Sequence, residues 1–432
     1  MIKREKNSPG RELDSLLKRL FPICRSITGN GVRETLSILA EHLPLKIHEV
    51  RSGTKVFDWT VPKEWNIWDA YIKDPSGKKI VDFKKNNLHV MGYSTPVRKM
   101  IKLAELKKHL YSLPEHPRFI PYKTSYYKEK WGFCLPHKQL KSLKEGTYEV
   151  VVDSSLRRGS LTYGELLIPG KSKDEVLISS YICHPSMGND SLSGVVMATF
   201  LALSLQKKKG LRYSYRFLFI PETIGAITWL AKNSKSAKRV KHGLVATCLG
   251  DSGPFTYKRT RAGNTAIDRA AEKALIRSGV PYSLTDFFPW GSDERQFNSP
   301  GFNLPVGSLM RSVYGTYPQY HSSGDDLTFV SGKNIAQSLA LYLDIIDILE
   351  HDIVYRSRSP YGEAQLGKRG LYGAGGSADP KAEIRERALL WLLAYADGTH
   401  ALSEIAARSG IDQKTLLSAA ILLQKHRLLE RL

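Results

Sequence analysis

The spacing of apolar positions changes character twice along this chain. Between residues 11 and 43, LDSLLKRLF and, after GNG, VRETLSILAEHL place apolar residues at helical spacing and predict two helices. From about 50 to 145, short strand-like pieces such as TKVFDWTV and WDAYIKD alternate with turns such as DPSGKK and KKNN. This stretch is rich in Trp and Tyr and reads as a β-rich module. Beyond 148 strands and helices alternate. TYEVVVDS, LTYGELLIPG, DEVLISSYI, YSYRFLFI, GLVATCLG and NLPVGSLM are strand-like, several of them apolar enough to be buried on both faces. SLSGVVMATFLALSLQKK, IGAITWLAKNSK, NTAIDRAAEKALIRSG and NIAQSLALYLDIIDILEH are helical.

The expected fold class is α/β, a mostly parallel sheet flanked by helices. Residues 1–49 and 146–355 are expected to form that domain, with 50–145 inserted into it. GLYGAGGSADP, around 370–380, reads as a linker. Beyond it IRERALLWLLAYA, ALSEIAARS and QKTLLSAAILLQKH predict three helices, and RLLERL the start of a wing, so that 375–432 reads as a small winged-helix-like domain.

Composition narrows the class. The chain has 432 residues, 42% hydrophobic, enough for two or three domains and a sizeable core. No apolar stretch reaches the ~18 residues of a membrane span, and MIKREKNSPGRELD lacks a signal-peptide core, so a cytoplasmic location is expected and no membrane partner. Cys24, Cys134, Cys183 and Cys248 are scattered without a CxxC pair, which agrees. The formal net charge of +22 is uneven: residues 96–145 hold 12 Lys/Arg against 4 Asp/Glu. That stretch is either a solvated basic face or a guide for an anionic substrate.

The candidate chemistry lies at strand ends. DEVLISSYI delivers His184, YRFLFIP delivers Glu222 and GLVATCLG delivers Asp251. In an open parallel sheet, ligands bind beyond the carboxyl ends of the strands. Asp190 stands at the mouth of the next helix, where it would serve as a cap, a ligand or both. His321, in QYHSSGDD, lies in a loop after the last strand and can return to the same edge. His184, Asp190 and His321 would make two imidazoles and a carboxylate, leaving one position open on a tetrahedral Zn²⁺. Water at such a position has its pKa lowered to about 7. Glu222 would then be the general base that passes a proton to the leaving amine.

HPSMGNDSLSG, PETIG, GSDERQF and YHSSGDD, in this order, resemble the zinc aminopeptidases of the M28 type over residues 150–352 and 11–49. The resemblance implies that His184 and Asp190 are ligands, with Asp190 bridging where two metals are present. It also implies that Glu222 is the catalytic base and His321 the last ligand. Two positions depart from the pattern. Thr223 stands where the family has a second, metal-binding Glu, and Asp251 is out of register with the family's D-x-x-G. One zinc is therefore expected, with a second only if another ligand compensates. Asp251 is open between ligand, orienter of a ligand and turn residue. Asp293 is a candidate for lining the site, and Asp325 and Asp326 for orienting His321. Arg259 and Arg261 are either a surface pair or a grip for a substrate anion. The aromatic run at 126–133 reads as packing. The full layout, with its inserted module and winged-helix-like tail, is similar to a bacterial family described as having an aminopeptidase-like domain and labelled as polysaccharide-biosynthesis associated.

The leading expectation is a zinc-dependent hydrolase of an amide or peptide bond, most simply an aminopeptidase. Its substrate would be a small peptide or an amino-acid or amino-sugar conjugate, with an anionic group suited to the basic stretch. The competing classes are a zinc-binding protein without turnover and a DNA-binding regulator. Residues 381–432 hold 8 Lys/Arg against 6 Asp/Glu and an apolar third helix, which disfavours nucleic acid and favours packing or homo-oligomer contacts.

Overall fold

The computed structural model describes residues 9–371 and 380–432. The glycine-rich linker read at 370–380 falls almost wholly outside these residues. Two compact units divide the chain, 1–346 and 347–432. Among the described residues no helix is long and apolar enough to cross a membrane.

The first unit is built on an eight-stranded sheet. Its strands are β1 (Lys46–Arg51), β2 (Ser160–Ile168), β3 (Glu175–Tyr181), β4 (Ser214–Ile220), β5 (Val240–Ala246), β6 (Phe255–Lys258), β7 (Tyr282–Thr285) and β8 (Val306–Met310). Their order is β1-β2-β4-β3-β5-β8-β6-β7. The central run β4-β3-β5-β8 is parallel, and antiparallel pairs join it to the edges. Every residue of β3 and β4 is buried, as their unbroken apolar runs predict for strands covered on both faces. Helices α1 (Pro9–Leu20), α2 (Asn30–Ala40), α3 (Gly194–Gln206), α4 (Ile224–Lys232), α5 (Ala266–Ser278) and α6 (Gly332–His351) accompany the sheet. α3 is apolar all round, and nine of its 13 residues are buried.

The segment after β1 begins with a tight hairpin rather than the single strand expected of TKVFDWTV. Lys55–Val56 pairs with Trp59–Thr60 around Phe57, whose φ is 55°. A four-stranded antiparallel sheet follows, formed by Glu64–Lys73, Lys79–Asp82, Val97–Lys102 and Thr147–Arg157. Its apolar side shares one core with the large sheet: Trp65, Phe133 and Val150 belong to the same cluster as Leu177, Leu218 and Trp229.

The second unit contains β9 (Val354–Ser357), α7 (Pro380–Tyr395), β10 (Asp397–Ala401), α8 (Leu402–Ser409), α9 (Gln413–Lys425) and β11 (Leu429–Arg431). Its sheet has the order β10-β9-β11. The central strand comes from ahead of the three helices, upstream of the start expected at 375. Tyr355, Leu389, Leu392, Ile405, Leu416 and Leu423 form its core. Asp412 caps α9 by accepting from the Thr415 N–H at 2.9 Å. Ile421 on α9 is 58% exposed, an apolar residue where a DNA-reading helix presents polar ones.

Candidate metal centre

β3 and β4 run parallel with Tyr181 opposite Ile220, and the pairing continues as the Ile182 N–H donates to Ile220 O at 2.9 Å. The two chains therefore leave the sheet at one edge. His184 follows one of them and Glu222 the other, and their Nε2 and Oε2 atoms lie 3.8 Å apart. β5 ends at the same edge, where the Cys248 N–H donates to Asn189 O at 3.1 Å. This holds the 188–193 turn above the strand ends.

Asp190 sits in that turn. It is not a helix cap: α3 starts at Gly194 behind Ser193, and no side chain caps it. The Asp190 carboxylate instead faces two imidazoles. Its Oδ2 is 3.0 Å from His321 Nε2 and 4.0 Å from His184 Nε2. Ligand atoms of His184, Asp190 and His321 all lie within 4.8 Å of one another. His184 and Asp190 are close in sequence, His321 lies 131 positions beyond Asp190, and the fold brings it to them. Cys183, His184 and Glu222 form a second group of the same kind.

The three donors fit a divalent ion. Asp190 Oδ2 is buried without a well-directed hydrogen bond and has the two imidazole nitrogens beside it, so a cation shared among them would offset the cost of burying its charge. Its other oxygen accepts from the Tyr181 hydroxyl. Burial alone would raise the Asp190 carboxyl, but His184, His321 and Tyr181 outweigh it and hold it at about 2. Burial pushes His184 down to about 4, so its imidazole is neutral near pH 7, as a ligand must be. His184 Nδ1 faces Cys183 Sγ at 3.4 Å, which leaves Nε2 for the centre.

A shell of contacts orients these groups. Both Asp325 oxygens accept backbone N–H groups, from Asn189 at 2.6 Å and from Asp190 at 2.9 Å. Asp325 therefore braces the Asp190 turn and not His321, as its place in the sequence had suggested. Burial, together with Asp190 and Asp251, pushes the Asp325 carboxyl up to about 8 against the pull of those two N–H groups. Asp251 does not join either ligand group found among the described residues. It accepts from Asn189 Nδ2 at 2.8 Å and from Ser312 Oγ at 2.7 Å, so it supports the same turn from behind. Asp326 caps its own loop by accepting from Thr328. The buried Arg25, between α1 and α2, donates through Nε to His184 O at 2.8 Å.

The inserted segment closes on the site. Pro121 pairs with Ser322 across an isolated bridge, and the Tyr122 N–H donates to His321 O at 2.7 Å. The Tyr122 ring lies 5.1 Å from the His184 ring and 5.2 Å from that of His321. Tyr320 stacks on His321 at 4.0 Å. His321 itself has a φ of 51°, a conformation such neighbours must hold in place.

On the far side, the Thr223 N–H donates to Asp293 Oδ1 at 2.6 Å and Thr223 Oγ1 accepts from Arg295 Nη2 at 3.2 Å. Thr223 is thus held by protein groups at both its N–H and its hydroxyl oxygen. Burial, then Asp293 and Asp190, push the Glu222 carboxyl upward, so that it holds a proton more readily than an ordinary carboxylate. Arg259 pairs with Asp286 and Glu272, and Arg261 donates to Asn298 O. Tyr126 lies against Tyr122, hydroxyl to hydroxyl at 3.1 Å. The roles of Tyr122, Tyr181 and Arg25 were missed, and Asp325 was given His321 as its partner, because each contact depends on a partner that only the fold brings near.

Residues 14–352 match the family described as Domain of unknown function (DUF4910), and residues 353–431 match the winged helix-turn-helix family HTH_47. A Clostridium acetobutylicum protein named "Putative polysaccharide biosynthesis protein with aminopeptidase-like domain" is 53% identical over 423 residues, 98% of this chain and 96% of its own. A crystal structure of a "putative peptidase" from Clostridium acetobutylicum superposes with a TM-score of 0.83 at 52% identity, covering 98% of this chain and 96% of that one. A zinc aminopeptidase from Bacillus subtilis shares the fold at 12% identity, with a TM-score of 0.57 over 78% of this chain and 94% of that one. The chain belongs to the DUF4910 family: an aminopeptidase-like α/β fold followed by a winged helix-turn-helix segment.

Proposed function

We propose that this chain is a zinc-dependent hydrolase of an amide bond, most simply an aminopeptidase. One ion would be held by His184, Asp190 and His321. The observation that carries this reading is the buried Asp190 Oδ2 between two imidazole nitrogens. The aminopeptidase-like name of the 53%-identical relative and the shared zinc-aminopeptidase fold support it. A bound zinc ion supplies Lewis acidity, which makes water nucleophilic near neutral pH.

The chain's own groups do the rest. Glu222, 26% exposed at its side chain and 3.8 Å from His184 Nε2, is placed to take a proton from the attacking water. The raised affinity of its carboxyl for a proton suits the return of that proton to the leaving amine. Tyr181 and Asp325 hold Asp190, Cys183 and Arg25 hold His184, and Tyr122 and Tyr320 hold His321. Substrates of this kind are small peptides or amino-acid or amino-sugar conjugates. The four free cysteines fit a reducing, cytoplasmic setting. The test is Glu222→Gln in zinc-loaded protein over a panel of aminoacyl amides. The expected result is a loss of about 10²- to 10⁴-fold in kcat with zinc retained. Equal rates would remove Glu222 from the mechanism.

A further inference from the structure

Arg295 has a feature that the hydrolytic machinery leaves unused. It lies in the short helix Glu294–Phe297, and its Nη2 donates to Thr223 Oγ1, one residue from the proposed base. Its Nε is buried with no acceptor. Among the described residues it makes no ion pair within 4.0 Å, and Thr223 is its one hydrogen-bond partner. Arg295 itself is half-buried. Of the buried arginines of this unit, Arg25 also keeps one nitrogen, Nη2, without an acceptor, but its other donors are spent on His184 O and Leu20 O. Arg216 spends Nε and both Nη atoms on Glu175 and Glu165. Arg311 donates to Ser338, Gly253 O and Gln337. Lys258, from the adjoining strand, is already closed by Glu294 at 2.8 Å and by Trp290 O. A guanidinium held at one corner, with a buried donor and a free edge, is complementary to a planar or tetrahedral oxyanion. Within the chain the negative charge it acts on is the Asp293 carboxylate, beyond the 4.0 Å of an ion pair. The basic stretch 96–145, which carries the Pro121–Tyr122 segment bonded to the His321 loop, adds a wider positive field.

We infer that Arg295 binds an anionic group of the substrate, a carboxylate or a phosphate monoester carried close to the scissile bond, with Thr223 fixing the guanidinium for that purpose. This rests on the hydrolase reading and deepens it: the preferred substrate is an acidic aminoacyl amide. Thr223 then has a positive role, as the hydroxyl that aims Arg295.

The test uses the zinc-loaded full chain and Arg295→Met, with two readouts. The first is kcat/KM for the p-nitroanilides of glutamate and glutamine. The second is calorimetric binding of L-glutamate, O-phospho-L-serine and L-glutamine. The wild type is expected to prefer glutamate over glutamine by about 10- to 100-fold in both readouts, the range of a charge-assisted pair. The preference should collapse in Arg295→Met. Arg295→Lys, which keeps the charge and loses the fork, should retain only part of it and serves if the Met variant fails to fold. Tighter binding of O-phospho-L-serine than of L-glutamate, lost in Arg295→Met, would assign the site to a phosphate. Equal handling of glutamate and glutamine anilides by an active wild type would overturn the inference and leave the hydrolase reading standing. A preference for anions that survives in Arg295→Met would overturn it too. Binding discrimination lost in Arg295→Met, with no hydrolysis of either anilide, would keep the anion site and sink the hydrolase.

Discussion

Asp325→Ala separates what holds Asp190 from what merely surrounds it. Both carboxylate oxygens of Asp325 accept buried backbone N–H groups, at 2.6 Å from Asn189 and at 2.9 Å from Asp190. The alanine leaves two donors without partners. Each unsatisfied buried donor costs about 1–3 kcal/mol, so the metal-free protein should lose about 2–6 kcal/mol. The lower part of that range is favoured, because burial and two neighbouring carboxylates already oppose the Asp325 charge. Zinc affinity should fall by about 10- to 100-fold, the usual effect of removing a group that orients a ligand. Asp325→Asn keeps the volume and one acceptor but turns an N–H₂ toward one of the two donors. It should lie between wild type and alanine on both measures. Urea unfolding of the metal-free proteins gives the first number, and competition with a chelator gives the second. If Asp325→Ala binds zinc as tightly as wild type, Asp190 does not depend on this brace and the orientation argument is wrong. Unchanged stability would refute the hydrogen-bond accounting itself.

Three further outcomes follow from the packing and charges. Gly194→Ala would place a Cβ 2.1 Å from Ala246 O, so α3 must shift away from β5; a loss of at least about 1–3 kcal/mol in urea unfolding is expected, and wild-type stability would refute the close approach. Burial, reinforced by Arg212, Arg269 and Lys241, depresses His242 to about 3. The unfolded chain therefore binds more protons than the folded one below pH 6.5, and stability falls as pH drops through that window. His242 alone should account for about 2 kcal/mol between pH 6.5 and 5, and His242→Gln should remove that share of the slope; an unaltered slope would contradict it. In the tail, Lys414→Glu with Lys425→Glu should leave DNA mobility shifts no weaker than wild type at low salt, whereas a clear loss would revive the DNA-binding alternative.

Much of the fold was legible because the apolar runs of β3, β4 and β5 are long, unbroken and separated by helix-length periodic segments. His184 and Glu222 were legible for the same reason, as polar residues that end buried strands. Their approach follows from parallel pairing. Asp190 was found, but its use was read partly as a cap, since an Asp ahead of an apolar helix carries the same signature for both jobs. Asp251 ends a strand too, yet its oxygens go to Asn189 and Ser312. A strand-end position says which edge a residue reaches and not which way it faces there. The Tyr122 contact crosses 199 positions to His321, and no local pattern announces it. The central strand β9 was missed because it is only four residues long, too short to show period-2 alternation, and lies 13 residues ahead of the linker region.

The central claim is a metal centre made by His184, Asp190 and His321, and elemental analysis tests it most directly. Wild-type protein purified without chelators should carry one zinc per chain. His184→Ala, shown by circular dichroism to remain folded, should carry none. A wild type without zinc, or a His184→Ala variant that keeps it, would contradict the assignment. Two ions per chain would contradict the single-ion site and require a ligand beyond these three.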